Sequence, residues 1–399
     1  MSIKTIADVD LSKKTVLVRV DFNVPLESGR ITDNSRIRAA LPTIDYLIKR
    51  SAKVILLSHL GRPKGQKNLK YSLRPTAQEL SRLLGSSVLF VEDCLAADAQ
   101  KTIVEMEYGS VMMLENLRFY AEEEENNEEF AKKLAAYGNA YVNDAFGTAH
   151  RAHASTAGIT HMLPIKVAGF LMQKELEFLG NRTANPERPF TVILGGAKVS
   201  DKIGVIDALL DKCDNMLIGG AMAYTFHLAQ GKQVGNSLVE KDRVADATAA
   251  LQKASQKGVK ILLPTDSIGT NTLNFEMRTI GHTKTFSEDI PAGWQGVDIG
   301  PKTIEIFSEI IGKSKTIFWN GPMGIFEITA CAEGTFAIAK AVAQSDGTSI
   351  VGGGDSITAI NKSGFSSRID FMSTGGGASL EFLEGKKMPG VTALDHKSM

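Results

Sequence analysis

Short apolar runs rich in valine, isoleucine and leucine recur along this chain, each followed by a turn and then a stretch of helical spacing. The first half carries TVLVRV (15–20), KVILLSH (53–59), SVLFVED (87–93), SVMMLEN (110–116) and AYVNDAF (140–146). The second carries FTVILGG (190–196), NMLIGG (215–220), KILLP (260–264), KTIFWNG (315–321), TSIVGGG (348–354) and FMSTGGG (371–377). Runs that alternate with helices in this way suit parallel strands covered on both faces. The expected class is α/β, with two doubly wound parallel-sheet (Rossmann-like) domains joined by a helical hinge. At about 150 residues per domain, 399 residues leave room for both cores.

Composition changes near residue 185. Glycine occurs 10 times up to that point and 27 times after it, whereas arginine falls from 11 to 4. NRTANPERP (181–189), with Pro186 and Pro189, reads as a breaker. Just before it, GFLMQKELEFLG (169–180) spaces Leu171, Leu176 and Leu179 as a helix does, which suits a hinge. The expected division is a first domain over 1–170, a hinge helix over 171–185, a second domain over 186–377 and a tail over 378–399. Within the first domain, Ile37, Leu41, Ile44 and Ile48 share a helical face, but Pro42 among them predicts a break or a helix start.

Lys plus Arg and Asp plus Glu number 45 each, and this balance argues against a dedicated binder of nucleic acid or anionic membrane. Cys94, Cys213 and Cys331 form no CxxC pair, so neither a disulfide framework nor a zinc knuckle is suggested, and buried small hydrophobes are expected. No run approaches the roughly 18 apolar residues of a membrane span, and MSIKTIADVDLSKK lacks an apolar core. A cytoplasmic protein is expected.

In open parallel sheets ligands bind beyond the carboxyl ends of the strands. The first-half exits are Asp21, Phe22 and Asn23, then Ser58 to Pro63, Glu115 to Arg118 and Asn143 to His153. Together with Arg36, they bring Arg62, Arg118, Arg151 and His59 to one mouth, a set suited to a small, highly anionic ligand. Second-half exits are GGAKVSDK (195–202), GGAM (219–222), NGPMGIFE (320–327), GGGDS (352–356) and GGGAS (375–379). Glycine admits a phosphate close to the backbone, and a helix N-terminus favours an anion, so a nucleoside triphosphate is the natural candidate. Neither GxxxxGK[ST] nor a strand-linked GxGxxG explains these glycines. An arginine mouth and a glycine- and lysine-rich nucleotide mouth on either side of a hinge point to phosphoryl transfer, with closure excluding water.

RVDFNVP (19–25), SHLGRP (58–63), LENLRF (114–119), NDAFGTAHRAHAST (143–156), LGGAKVSDKI (194–203), DIGPKT (298–303), WNGPMGIFE (319–327), GGGDS and STGGGASLE (373–381) together resemble phosphoglycerate kinase. The motifs run nearly the whole chain in the family's order. The resemblance implies transfer between ATP and 3-phosphoglycerate, giving ADP and 1,3-bisphosphoglycerate, with Mg²⁺. It implies that Asp21 and Asn23 hold the hydroxyl and carboxylate end, that His59, Arg62, Arg118 and Arg151 bind the 3-phosphate, and that Arg36 reaches the carboxylate and the group in flight. On the nucleotide side it implies that Lys198 follows the transferring phosphoryl and Lys202 the phosphates. It also implies that Glu327 takes the ribose, that Gly353, Gly354, Asp355 and Ser356 take the phosphate chain and Asp355 the metal, and that Gly196 and Gly324 lie in the nucleotide loops. It further implies a monomer whose tail, 378–399, returns to the first domain. In the reaction so implied the attacking group is a carboxylate, ionised at neutral pH, so no general base is required.

Other readings of single features stand beside these. His150 and His153 near Asp144 have metal-ligand types but no third ligand at a suitable spacing. EEEENNEE (122–129) reads as a solvated helix start in preference to an acidic partner patch. Lys198 and Lys202, four apart, suit one helical face, and Trp319 suits the core or a pocket wall. The competing functions are another two-domain ATP-dependent kinase acting on a small phosphorylated acid, and a non-catalytic protein closing on a phosphorylated ligand. A dehydrogenase lacks its fingerprint.

Overall fold

The computed structural model describes residues 3–287 and 289–395. The chain divides into two compact units, residues 1–176 with 386–399, and residues 177–385.

The first unit contains β1 (Thr15–Arg19), a hairpin of β2 (Leu26–Glu27) and β3 (Arg30–Ile31), β4 (Lys53–Leu57), β5 (Val88–Val91), β6 (Val111–Leu114), β7 (Ala140–Asn143) and β8 (Ile165–Ala168). Its sheet has the order β5-β6-β4-β1-β7-β8 and is parallel throughout. All five apolar runs of this half became strands. β8 has no counterpart among them, because Lys166 interrupts a short run, although its side chain is buried.

The helix Ser35–Lys49 passes through Pro42, where the sequence predicts a break or a start. Proline inside a helix costs about 3 kcal/mol, whereas burying a large aliphatic side chain returns roughly 1.5–3 kcal/mol. Ile37, Ile44 and Leu47 are all buried on this helix, so packing outweighs the proline.

The second unit contains β9 (Phe190–Leu194), β10 (Asn215–Ile218), β11 (Lys260–Leu262), β12 (Ser267–Thr270), β13 (Leu273–Asn274), β14 (Thr279–Ile280), β15 (Thr283–Phe286), β16 (Gln295–Ile299), β17 (Thr316–Asn320), β18 (Thr348–Gly352) and β19 (Phe371–Met372). The main sheet, β11-β10-β9-β17-β18-β19, is again parallel. A small antiparallel sheet, β15-β12-β16, and the hairpin β13-β14 are additions that the apolar runs did not signal.

Two doubly wound α/β sheets are thus present. Each has its own core, with Val18, Leu56 and Val142 in the first and Ile193, Trp319 and Val351 in the second. Trp319 is fully buried and donates from Nε1 to the Gly321 carbonyl at 2.7 Å, so it is a core residue. All three cysteines are buried. The segment expected to be the hinge is helical, but it changes character along its length: Phe170–Glu175 is α-helical, Leu176–Asn181 is a π-helical turn and Arg182–Ala184 resumes the α form. No helix among the described residues is long and apolar enough to cross a membrane.

Candidate active site

Parallel strands deliver their carboxyl ends to one edge, and the first unit gathers cations there. Asp21, just past β1, accepts from Arg36 at 2.5 Å through Oδ2, and its Oδ1 lies 3.9 Å from Nδ1 of His59. Asn23 accepts the Gly61 N–H at 2.9 Å, and Arg118 donates to the Gly61 carbonyl at 2.9 Å, so the exits of β1, β4 and β6 are bound to one another. Asn116 supports the same loop by donating to the carbonyls of Leu60 and Tyr71. Arg151 donates to His150 at 3.0 Å. Arg62 is exposed and has no side-chain hydrogen bond or ion pair among the described residues, so its place at the mouth rests on sequence position alone.

The electrostatics are those of a mouth short of anions. Burial first, then the fields of Arg19, Arg118 and Arg36, hold the His59 imidazole well below its ordinary range. Burial and the neighbouring arginines push His153 down to about 3. Even Arg118 is lowered to about 10, chiefly by burial. Both histidines are therefore neutral, and the positive charges of the mouth are arginines.

Two residues here escaped the sequence reading. Arg19 lies inside β1 and is fully buried; a charge within an otherwise apolar run was its only signal. Glu123, in the acidic run expected to be solvated, is also fully buried, accepting from the Ser155 hydroxyl at 2.6 Å and the Ser155 N–H at 2.9 Å. The run breaks into the helices Ala121–Glu124 and Glu128–Ala135, which turns Glu123 inward. No group of three or more His, Cys, Asp or Glu able to hold a metal occurs among the described residues, which leaves the His150 and His153 reading without support.

In the second unit the glycine loops brace one another through the backbone. Gly196 N–H donates to the Pro322 carbonyl at 2.9 Å, Gly220 N–H to the Met323 carbonyl at 2.9 Å, and Gly324 N–H to the Thr335 hydroxyl at 3.2 Å. Gly353, with φ +91°, precedes the helix Gly354–Ser363, a turn that favours glycine. The N–H groups of Gly354, Asp355 and Ser356 have no acceptor among the described residues. That leaves three donors at a helix N-terminus, a ready anion cradle. The Ser356 hydroxyl faces the other way, buried and accepting the Gly321 N–H at 2.6 Å.

Lys202 is buried at the start of the helix Ile203–Leu209, its ammonium on Asn320 Oδ1. Burial pulls it down to about 8, against the opposing fields of Asp201 and Asp355. Lys198 is exposed in the preceding loop, so the two lysines do not share the helical face that their spacing suggested. Glu327 is half-buried beyond β17. Asp355 is exposed in the first turn of its helix, with no hydrogen bond or ion pair among the described residues. One available carboxylate beside an anion cradle would fit Mg²⁺, which takes few protein ligands and fills its shell with ligand oxygens and water.

A family model described as phosphoglycerate kinase matches residues 6–386. The phosphoglycerate kinase of Koribacter versatilis (strain Ellin345) is 54% identical over 405 residues, covering 100% of both chains. That of Moorella thermoacetica is 54% identical over 393 residues, covering 98% of this chain and 99% of its own. Among solved structures, phosphoglycerate kinase from Coxiella burnetii superposes with a TM-score of 0.90 at 39% identity over 100% of both chains. The enzyme from Pyrococcus horikoshii OT3 gives 0.85 at 36% identity over 98% of each.

Proposed function

Because the chain belongs to the phosphoglycerate kinase family, transferases of glycolysis that pass a phosphoryl group between ATP and 3-phosphoglycerate, we propose the following division of that reaction among its residues. 3-Phosphoglycerate occupies the arginine mouth. Arg62, Arg118, Arg151 and His59 take its 3-phosphate, Asp21 and Asn23 hold the hydroxyl and carboxylate end, and Arg36 stands at the reacting carboxylate. The observation that carries this placement is the character of the mouth, in which buried arginines surround histidines held neutral. Such a site suits anions, and an ionised carboxylate nucleophile needs no general base.

The nucleotide lies along the second unit's loops, its phosphates on Lys202 and on the N–H groups of Gly354, Asp355 and Ser356. Gly196 and Gly324 let it approach the backbone, and Glu327 takes the ribose. Asp355 would hold Mg²⁺, which when bound offsets phosphate charge and orients the phosphoryl oxygens. Lys198 follows the group in transit. Catalysis is alignment and cationic stabilisation of the charge that spreads over the transferring oxygens.

Acceptor and donor residues belong to different units. We assign closure for transfer to the helical segment 171–185 and its π-helical turn; of the tail, residues 386–399 group with the first unit and 378–385 with the second. Closure also keeps water from the donor. We assign the enzyme to the cytoplasm as a monomer, the latter checked by gel filtration.

The direct test supplies ATP, Mg²⁺ and 3-phosphoglycerate and follows 1,3-bisphosphoglycerate through an NADH-consuming reductase. Turnover should vanish when 3-phosphoglycerate is withheld. Turnover with a different phosphorylated acid and none with 3-phosphoglycerate would overturn the acceptor assignment.

A further inference from the structure

Beneath the arginine mouth lies a buried polar chain that takes no part in the division above. Arg19 donates from Nε to the Ser155 hydroxyl at 2.7 Å and from one terminal nitrogen to the Val20 carbonyl at 2.6 Å. Its other terminal nitrogen lies 3.3 Å from Nδ1 of His59. Ser155 in turn gives its hydroxyl proton and its N–H to the two oxygens of Glu123, and its carbonyl accepts from Tyr141 at 2.7 Å. Glu123 lies 3.9 Å from both Arg19 and His153. We propose that Arg19 and Glu123 are positioning residues for the acceptor mouth: Glu123, through Ser155, holds the Arg19 guanidinium so that it donates to Nδ1 of His59 and leaves Nε2–H as the donor His59 offers a ligand.

A guanidinium carries only donors. In its contact with Arg19, Nδ1 of His59 must therefore accept, and a neutral imidazole then bears its proton on Nε2. A proton on Nδ1 would point at the guanidinium and forfeit this bond, and the nearest carboxylate oxygen, Oδ1 of Asp21 at 3.9 Å, lies beyond hydrogen-bond reach of it. Stability alone does not account for the arrangement, since a buried ion pair adds little over apolar side chains of the same volume. Its geometry toward His59 does.

The proposal rests on the placement of His59 at the 3-phosphate, and its test separates the two. Long-range ¹⁵N–¹H correlation of the imidazole rings should show wild-type His59 protonated on Nε2 alone, unchanged between about pH 5.5 and 8.5. Arg19→Met combined with Glu123→Gln removes both charges and strands neither. The folded double variant should lose the single tautomer and show a KM for 3-phosphoglycerate about tenfold higher, with kcat changed less. Arg19→Lys, which keeps charge and donor, should recover much of both. An Nδ1-protonated ring in the wild type would overturn the proposal even if no variant folds, as would unchanged ring signals and KM in the double variant. Separately, an unchanged KM in His59→Ala would remove His59 from the 3-phosphate site while leaving its tautomer as measured.

Discussion

Asn320 joins two of the second unit's loops by itself: its Oδ1 takes the buried ammonium of Lys202, and its Nδ2 donates to the Gly352 carbonyl at 2.8 Å. Its own carbonyl accepts the Gly195 N–H at 3.0 Å, so the exits of β9, β17 and β18 meet at this one residue. Replacing it with alanine leaves Lys202 buried without its acceptor, at a cost of about 1–3 kcal/mol. Asn320→Ala should lower the urea midpoint with the m-value unchanged and raise KM for ATP. An unaltered midpoint would show that the loops hold together without this bridge.

Lys202 also sets a pH dependence. Burial lowers it to about 8 from 10.5, so between those values the native chain holds fewer protons than the unfolded one. Stability attributable to this group therefore rises as pH climbs through that window. Nucleotide affinity moves the opposite way, because the ammonium that meets the phosphates is being lost. KM for ATP should increase above about pH 8 in the wild type and stay flatter in Lys202→Arg, whose guanidinium does not titrate there. The stability effect is read as the difference between wild type and Lys202→Met across the same range. Matching pH profiles for wild type and Lys202→Arg would remove Lys202 from the phosphate site.

Arg36 is held on Asp21, with part of its side chain open to solvent, whereas Lys198 is exposed in its loop. If each acts as one preorganised donor on the transferring oxygens, Arg36→Ala and Lys198→Ala should each lower kcat by about 10²–10³-fold. KM for either substrate should change far less. Steady-state rates within a few-fold of wild type would strip both residues of the role.

The two sheets were legible because their strands are buried on both faces and read as uninterrupted apolar runs, as FTVIL (190–194) does. The antiparallel sheet was not, since QGVDI (295–299) has too few apolar residues to stand out. Site residues that follow strands were visible for the same topological reason. Arg19 was hidden because it lies within a strand and not beyond one. Glu123 was hidden because local sequence gives an acidic run no reason to turn inward; its burial comes from Ser155, thirty-two residues away in the chain. Asn320 was in view within KTIFWNG, but only the paired strands show that its side chain reaches Lys202 and Gly352.

Gly321 tests how tightly the nucleotide loops are built. It has φ +100°, and a Cβ placed there would sit 2.2 Å from the Gly195 carbonyl oxygen. Its N–H is also committed to Ser356. Backbone strain of this kind costs about 1–3 kcal/mol, and forcing a methyl against fixed backbone adds a comparable amount. Gly321→Ala should therefore lower Tm clearly and raise KM for ATP, because relief requires the β9 and β17 exits to part. Gly312→Ala is the matched control. It closes the helix Pro301–Gly312, and its added Cβ would meet nothing within 4 Å. Alanine is favoured over glycine within a helix by about 0.5–1 kcal/mol, so this control should hold or slightly raise Tm with turnover unchanged. Equal thermal shifts in the two variants would mean that the loops yield readily, and the close backbone packing would not be what shapes the phosphate cradle.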